Sequence, residues 1–380
     1  MVTVGRKMMK ERILLVSSGG LDNSGVPAVL MTIVRGLADK YSFDILLNTM
    51  TAGYYEQQFT DLGGKVFRCP RKHFRFKPFD RLAELVRPVH MFFFTRNLLR
   101  KNGPYKAIHC CNDFDASGCV AAAEKAGVPI RICHTHKSWK PDSAMGLLTR
   151  MYRSECRKAI LKHATVLAGC SAQADSTSFG PSADAIVICN PYDKDRFTPS
   201  LPLNNPLSLE LVQIGYFSRN KNQLFSVEVL EEIRKTRPDA HLVLIGHSSG
   251  SYWEKVRHAV EEKNLADSVT FLPADTDIPA AMERSSVLLL PSESEGFGIV
   301  LIEAQAMGLH CVASDTVPRE TDRGGVVYLP VKNPQTWAAA ILADRHISEK
   351  TIRDCSCFSK KAFIETVEEI YTEKHTTLSQ

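Results

Sequence analysis

No apolar run in this chain approaches the ~18–20 residues that cross a bilayer. The basic opening stretch Met1–Arg12 leads only into Ile13-Leu14-Leu15-Val16, which is too short for a signal-peptide core. A protein made and kept in the cytoplasm is therefore expected. No two of the eleven cysteines (Cys69, Cys110, Cys111, Cys119, Cys133, Cys156, Cys170, Cys189, Cys311, Cys355, Cys357) stand at C-x-x-C spacing, and their number is odd. Neither a disulfide framework nor a zinc site is indicated, and small buried thiols are expected instead. The G-x-G-x-x-G fingerprint of dinucleotide enzymes is missing after the first strand, where the chain reads Ser17-Ser-Gly-Gly-Leu-Asp-Asn-Ser-Gly25. Solenoid repeats and low-complexity tracts are absent as well.

What remains is an ordinary globular composition: 380 residues, 44% hydrophobic and 23% charged. That length suits two domains, each able to bury its own core. The net charge of +5 hides an asymmetry. Residues 1–190 hold 27 Lys+Arg against 15 Asp+Glu, or +12, and residues 191–380 hold 20 against 27, or −7. A basic first half favours an anionic partner, a membrane surface or nucleic acid.

Short Ile/Val/Leu-rich runs alternate with helical patterns throughout. Strands are expected at Ile13–Ser17, Phe43–Leu47, Ala107–Cys110, Ile130–His134, Thr165–Cys170 and Ala185–Cys189, with helices at Val29–Lys40, Asp80–Lys101 and Leu147–His163. The runs lack polar alternation, as strands buried on both faces should. Thr198–Ser208 carries three prolines and no long apolar run, which marks a linker. Beyond it the alternation restarts, with strands at Leu211–Ile214, His241–Ile245, Val269–Phe271, Val287–Leu290 and His310–Ala313. Helices are expected between these at Gln223–Lys235, Ser251–Lys263 and Ile299–Met307. The pattern is α/β: two doubly wound, Rossmann-like parallel sheets with a ligand cleft between the carboxyl ends of their strands. The expected domains are 1–195, a linker 196–208, 209–355, and a final amphipathic helix within 356–380.

The most informative segment is Pro291-Ser-Glu-Ser-Glu-Gly-Phe-Gly-Ile-Val-Leu-Ile-Glu-Ala-Gln-Ala-Met-Gly308. A buried strand runs into a turn with Gly296 and Gly298, and a helix opens near Ile299. The free N–H groups at such a helix start suit a phosphate. Glu295 lies on the loop and Glu303 about 7 Å along the helix from Ile299, at ~1.5 Å per residue. Two carboxylates so spaced suit a ligand with polyhydroxyl groups on either side of a diphosphate. The plainer reading is a helix start whose dipole favours acidic neighbours.

The Glu295…Glu303 pair, in its P-S-x-x-E-G-F-G-x-x-x-x-E-A-x-A-x-G frame, resembles the family-4 retaining glycosyltransferases of GT-B fold. Ile214-Gly-Tyr-Phe-Ser-Arg-Asn-Lys-Asn222 is similar to that family's phosphate loop, Leu242-Val-Leu-Ile-Gly246 to its L-x-x-x-G strand end, and Val269-Thr-Phe-Leu272 to its V-x-F-L. Cys189-Asn190 with Phe197 looks like its hinge strand. In the first half, Ser24-Gly25-Val26, Arg131-Ile-Cys-His-Thr-His136 and Gly169-Cys-Ser-Ala-Gln-Ala174 resemble the exopolysaccharide and capsule branch.

The resemblance implies a catalytic role for Glu295 on the transferred sugar and ribose binding by Glu303. It implies diphosphate or sugar contacts from the backbone around Phe297, Gly298, Ile299 and Val300, and phosphate binding by Lys221. Gly246 falls at the donor side. Tyr216 stands where many members carry a second phosphate-binding Arg, and Arg219 is the candidate replacement. Pro191 and Pro273 depart from the pattern without removing a charge. Gly25 is the preferred glycine for close approach to donor phosphates, ahead of Gly19 and Gly20. Of the two histidines at the end of the fourth expected strand, His136 is preferred over His134 as the group facing the transferred sugar. His134 and His136 also form an H-x-H fragment, with no third metal ligand nearby in sequence, and Asp113-Phe-Asp115 reads as a loop. No metal and no cofactor is therefore expected, and the final helix is expected to cross back to the first domain.

The implied reaction retains anomeric configuration, with a nucleotide sugar, UDP before GDP-mannose, as donor and a saccharide or polyprenyl-diphosphate-linked acceptor. Basic and aromatic residues interleave in 71–79, and His90-Met-Phe-Phe-Phe-Thr-Arg96 adds apolar bulk beside Arg100 and Lys101. Such a surface suits anionic lipid at the inner face of a membrane, against a plainer reading of Phe92–Phe94 as core. Nucleic acid is disfavoured because no module for it is present. The alternatives carried forward are a non-catalytic sugar-nucleotide-binding subunit and a nucleotide-sugar epimerase.

Overall fold

The computed structural model describes residues 10–69, 83–139, 144–200, 208–343 and 349–372. The chain divides into two units, changing from the first to the second at Asn190–Pro191 and returning to the first at Lys360–Lys361. The stretch 196–208, expected as a linker, groups with the second unit, and its residues 201–207 lie outside the described residues. Of the final segment, 356–360 also group with the second unit.

The first unit is built on seven parallel strands: β1 (Glu11–Ser17), β2 (Tyr41–Leu47), β3 (Lys65–Arg68), β4 (Ala107–Cys111), β5 (Ile130–Thr135), β6 (Val166–Gly169) and β7 (Ile186–Val187). Their order is 3-2-1-4-5-6-7. Helices α1 (Gly25–Leu37), α2 (Glu56–Asp61), α3 (Arg87–Asn102), α4 (Ala116–Lys125), α5 (Leu147–His163) and α6 (Ala172–Phe179) connect them. Alternate residues of β1 enter different cores. Ile13 and Leu15 face α1, while Leu14 and Val16 join Met91 and Val120 on the opposite face. That is why the run reads as continuously apolar.

The second unit has six parallel strands, β8 (Glu210–Ile214), β9 (His241–Ile245), β10 (Val269–Leu272), β11 (Val287–Leu290), β12 (His310–Ser314) and β13 (Val326–Leu329). Their order is 10-9-8-11-12-13. Its helices are α7 (Gln223–Arg234), α8 (Ser251–Glu262), α9 (Ile278–Arg284), α10 (Ile299–Ala306) and α11 (Pro334–Ala343). The fully buried Trp337 of α11 packs edge-on against Phe225 of α7, with ring centroids 5.2 Å apart. Both sheets are parallel and doubly wound, as the sequence pattern implies.

The last helix, α12 (Lys360–Tyr371), presents Phe363, Val367, Ile370 and Tyr371 to the core of the first unit. A Cβ on Gly36 of α1 would fall 2.6 Å from Cδ1 of Ile364, so a glycine there lets the two helices approach. Nine of the eleven cysteines are buried, Cys189 is half-buried and Cys357 exposed, and all are free thiols.

Candidate active site

In a doubly wound sheet, ligands gather beyond the carboxyl ends of the strands where the strand order reverses. In the second sheet that point lies between β8 and β11. The loops leaving those strands are the Gly215–Asn222 turn and the Pro291–Gly298 turn, the two segments with the strongest motif content. They are tied together by backbone and side chain. The Glu293 amide donates to the Asn220 carbonyl at 2.8 Å, and Asn220 Nδ2 donates to the Ser294 carbonyl at 2.9 Å.

At the centre, Lys221 Nζ donates to Glu295 Oε1 at 2.6 Å, and Ser292 Oγ donates to the same oxygen at 2.6 Å. The side chains of Lys221 and Glu295 keep 19% and 12% of their exposure. Both partners of Glu295 sit on Oε1, so Oε2 takes no hydrogen bond among the described residues. The lysine is held by its backbone, whose carbonyl accepts from Gln213 Nε2 at 2.6 Å and whose amide donates to the Ser218 carbonyl at 3.1 Å. Asn222 follows in the left-handed region at φ 54° and starts α7. Arg219 reaches outward: its side chain is 88% exposed, with Nε 3.4 Å from Glu293 Oε1.

Gly298 caps α10 at φ +86°, with no side-chain cap and no acid in the first turn. The first amides of the helix, at Ile299 and Val300, therefore have no side-chain acceptor and face an anion-favouring dipole end. Phe297 is buried with its ring against Phe358, which fixes the turn ahead of the helix. Glu303 lies one turn further along. Burial pushes its carboxyl up to about 8, with Arg196 opposing the shift and Asp193 adding to it. The carboxyl makes no hydrogen bond among the described residues.

Gly246 ends β9 where a side chain has no room. A Cβ there would fall 2.2 Å from the Gly215 carbonyl oxygen and 3.2 Å from the Tyr216 Cα. Its visible role is to seat the 215–222 loop. Gly246→Ala should cost about 1–3 kcal/mol, since backbone must move to relieve the overlap. A thermal melt should show the loss as roughly 5 °C for a domain of this size.

In the first unit, Gly25 opens α1 with an exposed backbone and no heavy atom within 4 Å of where a Cβ would lie. His134 and His136 stand at the carboxyl end of β5, their ring centroids 4.0 Å apart. His136 Nδ1 lies 3.3 Å from Asn190 Oδ1, and burial lowers its pKa to about 4. The fully buried His134 is lowered well below the usual histidine range for the same reason. Nε2 of each ring is buried without a partner.

Sequence reasoning missed His109 on the neighbouring strand β4. Its Nε2 is 3.1 Å from His134 Nδ1, and its Nδ1 is 2.8 Å from the Tyr371 hydroxyl. In space, unlike in sequence, His134 of the H-x-H fragment does have further candidate ligands beside it: His109, Cys111 and His134 hold ligand atoms within 4.8 Å of one another. His136 is not part of that trio. The signal was the β4 run Ala-Ile-His-Cys-Cys, whose polar histidine interrupts an otherwise apolar buried strand. Asp113–Asp115 forms a short 3-10 turn after β4.

The family model for "Glycosyl transferases group 1" matches residues 208–343. Over 350 residues the chain is 29% identical to the putative glycosyltransferase EpsF of Bacillus subtilis, covering 87% of each. It is 26% identical over 345 residues to a D-inositol 3-phosphate glycosyltransferase of Paenarthrobacter aurescens, covering 85% of each. Among solved structures, HepE of Anabaena in complex with UDP and glucose superposes with a TM-score of 0.74 at 15% identity, over 96% of this chain and all (100%) of that one. The lipopolysaccharide outer core galactosyltransferase WaaB follows with 0.70 at 14% identity, over 96% and 99%. The chain has the GT-B fold and is related to glycosyltransferases.

Proposed function

We propose that the chain is a retaining glycosyltransferase that moves a sugar from a UDP-sugar to a saccharide or polyprenyl-diphosphate-linked acceptor in surface polysaccharide synthesis. The observation that carries the reading is the Lys221–Glu295 pair at the switch point of the second sheet, one turn ahead of the uncapped helix start at Gly298. HepE, which superposes over nearly the whole chain, is known with UDP and with glucose, and that favours uracil as the base.

In this reading the diphosphate takes the amides of Ile299 and Val300, and Lys221 turns from Glu295 to the leaving phosphate. Glu295 keeps its unpartnered Oε2 for the hydroxyls of the transferred sugar. Glu303 takes the ribose diol. Arg219, exposed and on the same loop, is free to swing onto phosphate in place of the Arg that Tyr216 replaces. Gly25 and the histidines of β5 serve the sugar and acceptor on the first unit. A donor phosphate oxygen receives the acceptor's proton, so no protein nucleophile is required. The lysine and the helix start supply the positive charge, and no protein-bound metal is assigned to the reaction.

The test is a thermal-shift panel of UDP, GDP, ADP and their sugar conjugates, run with EDTA and with Mg²⁺. Binding to the native state raises the melting point by mass action. A shift confined to uridine nucleotides and unchanged by EDTA is expected. A shift only with adenine or guanine nucleotides would overturn the donor assignment, and none with any would favour a non-catalytic subunit.

In the same reading the acceptor is met at a membrane surface. Val86, Val89 and Phe93 are 50%, 58% and 62% exposed along the start of α3, followed on that helix by Arg96, Arg100 and Lys101. Leu147, Leu148 and Met151 are exposed at the start of α5, with Arg150 among them. Both helices start at the carboxyl edge of the first sheet, and both pack on α4. The basic stretch 71–79 lies outside the described residues. None of the described helices is long and apolar enough to cross a membrane. Apolar side chains ringed by cations dock on anionic headgroups. The protein should float with phosphatidylglycerol vesicles and not with phosphatidylcholine vesicles. The double variant Phe93→Ser, Leu148→Ser should lower partitioning at least about tenfold, given ~1.5–3 kcal/mol per buried side chain. Equal flotation of variant and parent would remove this surface from the account.

A further inference from the structure

Tyr371, His109 and His134 form a buried line of hydrogen bonds that starts on α12 and ends near the carboxyl end of β5. The distances are 2.8 Å from the Tyr371 hydroxyl to His109 Nδ1 and 3.1 Å from His109 Nε2 to His134 Nδ1. Tyr371 and His109 are 0% exposed and His134 is 2% exposed. The register β4–β5 places His109 opposite Ile132, two residues before His134, so the imidazoles project from the same face of the sheet. They stack with centroids 5.3 Å apart.

Proton counting gives this line a direction. A neutral imidazole has one N–H and one lone pair, whereas a phenol can donate and accept. If His134 Nδ1 donates to His109 Nε2, then His109 Nδ1 must donate to the tyrosine oxygen. The Tyr371 proton would then be buried without an acceptor among the described residues, and His134 Nε2 would be a buried lone pair with no donor. If Tyr371 donates instead, His109 Nε2 donates to His134, and one unmatched group remains: the N–H at His134 Nε2. Each buried unmatched group costs about 1–3 kcal/mol, so the second arrangement is favoured. Both histidines are pushed toward neutrality by burial, His109 to about 3. The burial of Tyr371 likewise keeps its phenol protonated.

We propose that Tyr371 and His109 are positioning residues that fix His134 as an N–H donor, through Nε2, for an oxygen of the sugar bound at the carboxyl end of β5. The assignment of the oxygen to a sugar rests on the glycosyltransferase reading; the direction of the line does not. It gives α12, whose sequence carries no motif, a part in tuning the site. A metal at His109, Cys111 and His134 would compete with it, because an ion bound at His109 Nε2 and His134 Nδ1 displaces the proton they share.

The experiment is long-range ¹H–¹⁵N correlation of the full chain labelled in histidine, with His134 assigned by loss of its signals in His134→Gln. The wild-type spectrum should show His134 protonated at Nε2 and bare at Nδ1. Tyr371→Phe keeps the ring in the core and removes the donor, so His134 should shift to a mixture of tautomers while the melting point falls by roughly a few degrees and the fold is kept. A proton on His134 Nδ1 in the wild type would overturn the proposal, even if the variant failed to fold. So would stoichiometric metal by elemental analysis, or an unchanged tautomer in a folded Tyr371→Phe. UDP-glucose should then move the His134 Nε2–H signal while UDP alone does not. Equal movement by both would overturn the sugar contact. Absence of any melting shift with UDP-glucose would count against the donor reading, and the tautomer result would still decide the line itself.

Discussion

Glu295→Gln is expected to lower turnover about 10²–10³-fold while UDP affinity stays within a few-fold of the parent. The substitution keeps the volume and keeps a carbonyl oxygen for Ser292 and Lys221, which donate to Oε1 at 2.6 Å. It removes the charge that offsets Lys221 and that, in the proposed reading, faces a sugar becoming positive in the transition state. Electrostatic groups aimed at developing charge are worth about 10²–10³ in rate when deleted. The nucleotide contacts assigned to the α10 amides and Glu303 are untouched, so binding persists. The stability change should be small, because the amide oxygen still accepts from both Lys221 and Ser292 and leaves no donor unmatched. Lys221→Met gives the opposite imbalance. It leaves a carboxylate at 12% exposure without its cation, so a loss of melting temperature should accompany its loss of turnover. Steady-state kinetics with the donor picked out by the melting panel, beside calorimetric UDP titration, separates the two effects. Normal turnover in Glu295→Gln would remove that residue from the chemistry.

UDP binding should release a proton between about pH 6 and 8, and Glu303→Gln should abolish the release. In the free protein, burial holds the Glu303 carboxyl at about 8; Arg196 opposes the rise, Asp193 adds to it, and Lys360 donates to Asp193 at 2.6 Å. A ribose diol donates two hydrogen bonds, which an ionised carboxylate accepts and a protonated one cannot fully match. Binding therefore drives the proton off. Affinity should rise with pH up to about 8 and level beyond it. Glu303→Gln should weaken UDP roughly 10–100-fold, the equivalent of about 1.5–3 kcal/mol for charge-assisted hydrogen bonds.

The stability of the free protein should move the other way. A carboxyl with a folded pKa above its unfolded value of ~4.3 stabilises the fold below that value, and the contribution is lost as pH rises through about 8. The variant, with nothing to ionise, should equal or exceed the parent's melting point above pH 8. Titrations in buffers of different ionisation enthalpy read the proton directly. Unchanged release in Glu303→Gln would place the ribose elsewhere.

The central strands were legible because each is buried on both faces, so β9 and β11 read as unbroken apolar runs with the expected ends. Of the edge strands, β7 and β10 were read from their apolar runs, whereas β3 and β13, short and only partly buried, were not. Helix α4 was hidden by its composition. Seven of its ten residues are Ala, Ser, Gly or Cys, with little contrast between faces, and a Cβ on Gly118 would strike the Pro88 carbonyl at 1.9 Å. Close helix packing asks for small residues, and small residues carry no period.

At the site, motif spacing marked Lys221 and Glu295 separately. Their ion pair across 74 positions follows from the strand order 9-8-11, which periodicity alone does not fix. His109 and Tyr371 were beyond reach for the same reason, standing 262 positions apart and meeting only because α12 returns to the first unit. Gly246 was legible as a motif residue, but its visible work is to make room for the loop that carries Lys221.

One measurement bears most directly on the claim that this chain transfers sugar with retention through Glu295. Real-time ¹H NMR would follow the anomeric protons of the UDP-sugar that gives the largest melting shift, with water as the default acceptor. Slow appearance of UDP together with the sugar in its donor anomeric form, before mutarotation, is expected, and at least about a hundredfold less in Glu295→Gln. First appearance of the opposite anomer, or equal rates in parent and variant, would contradict it.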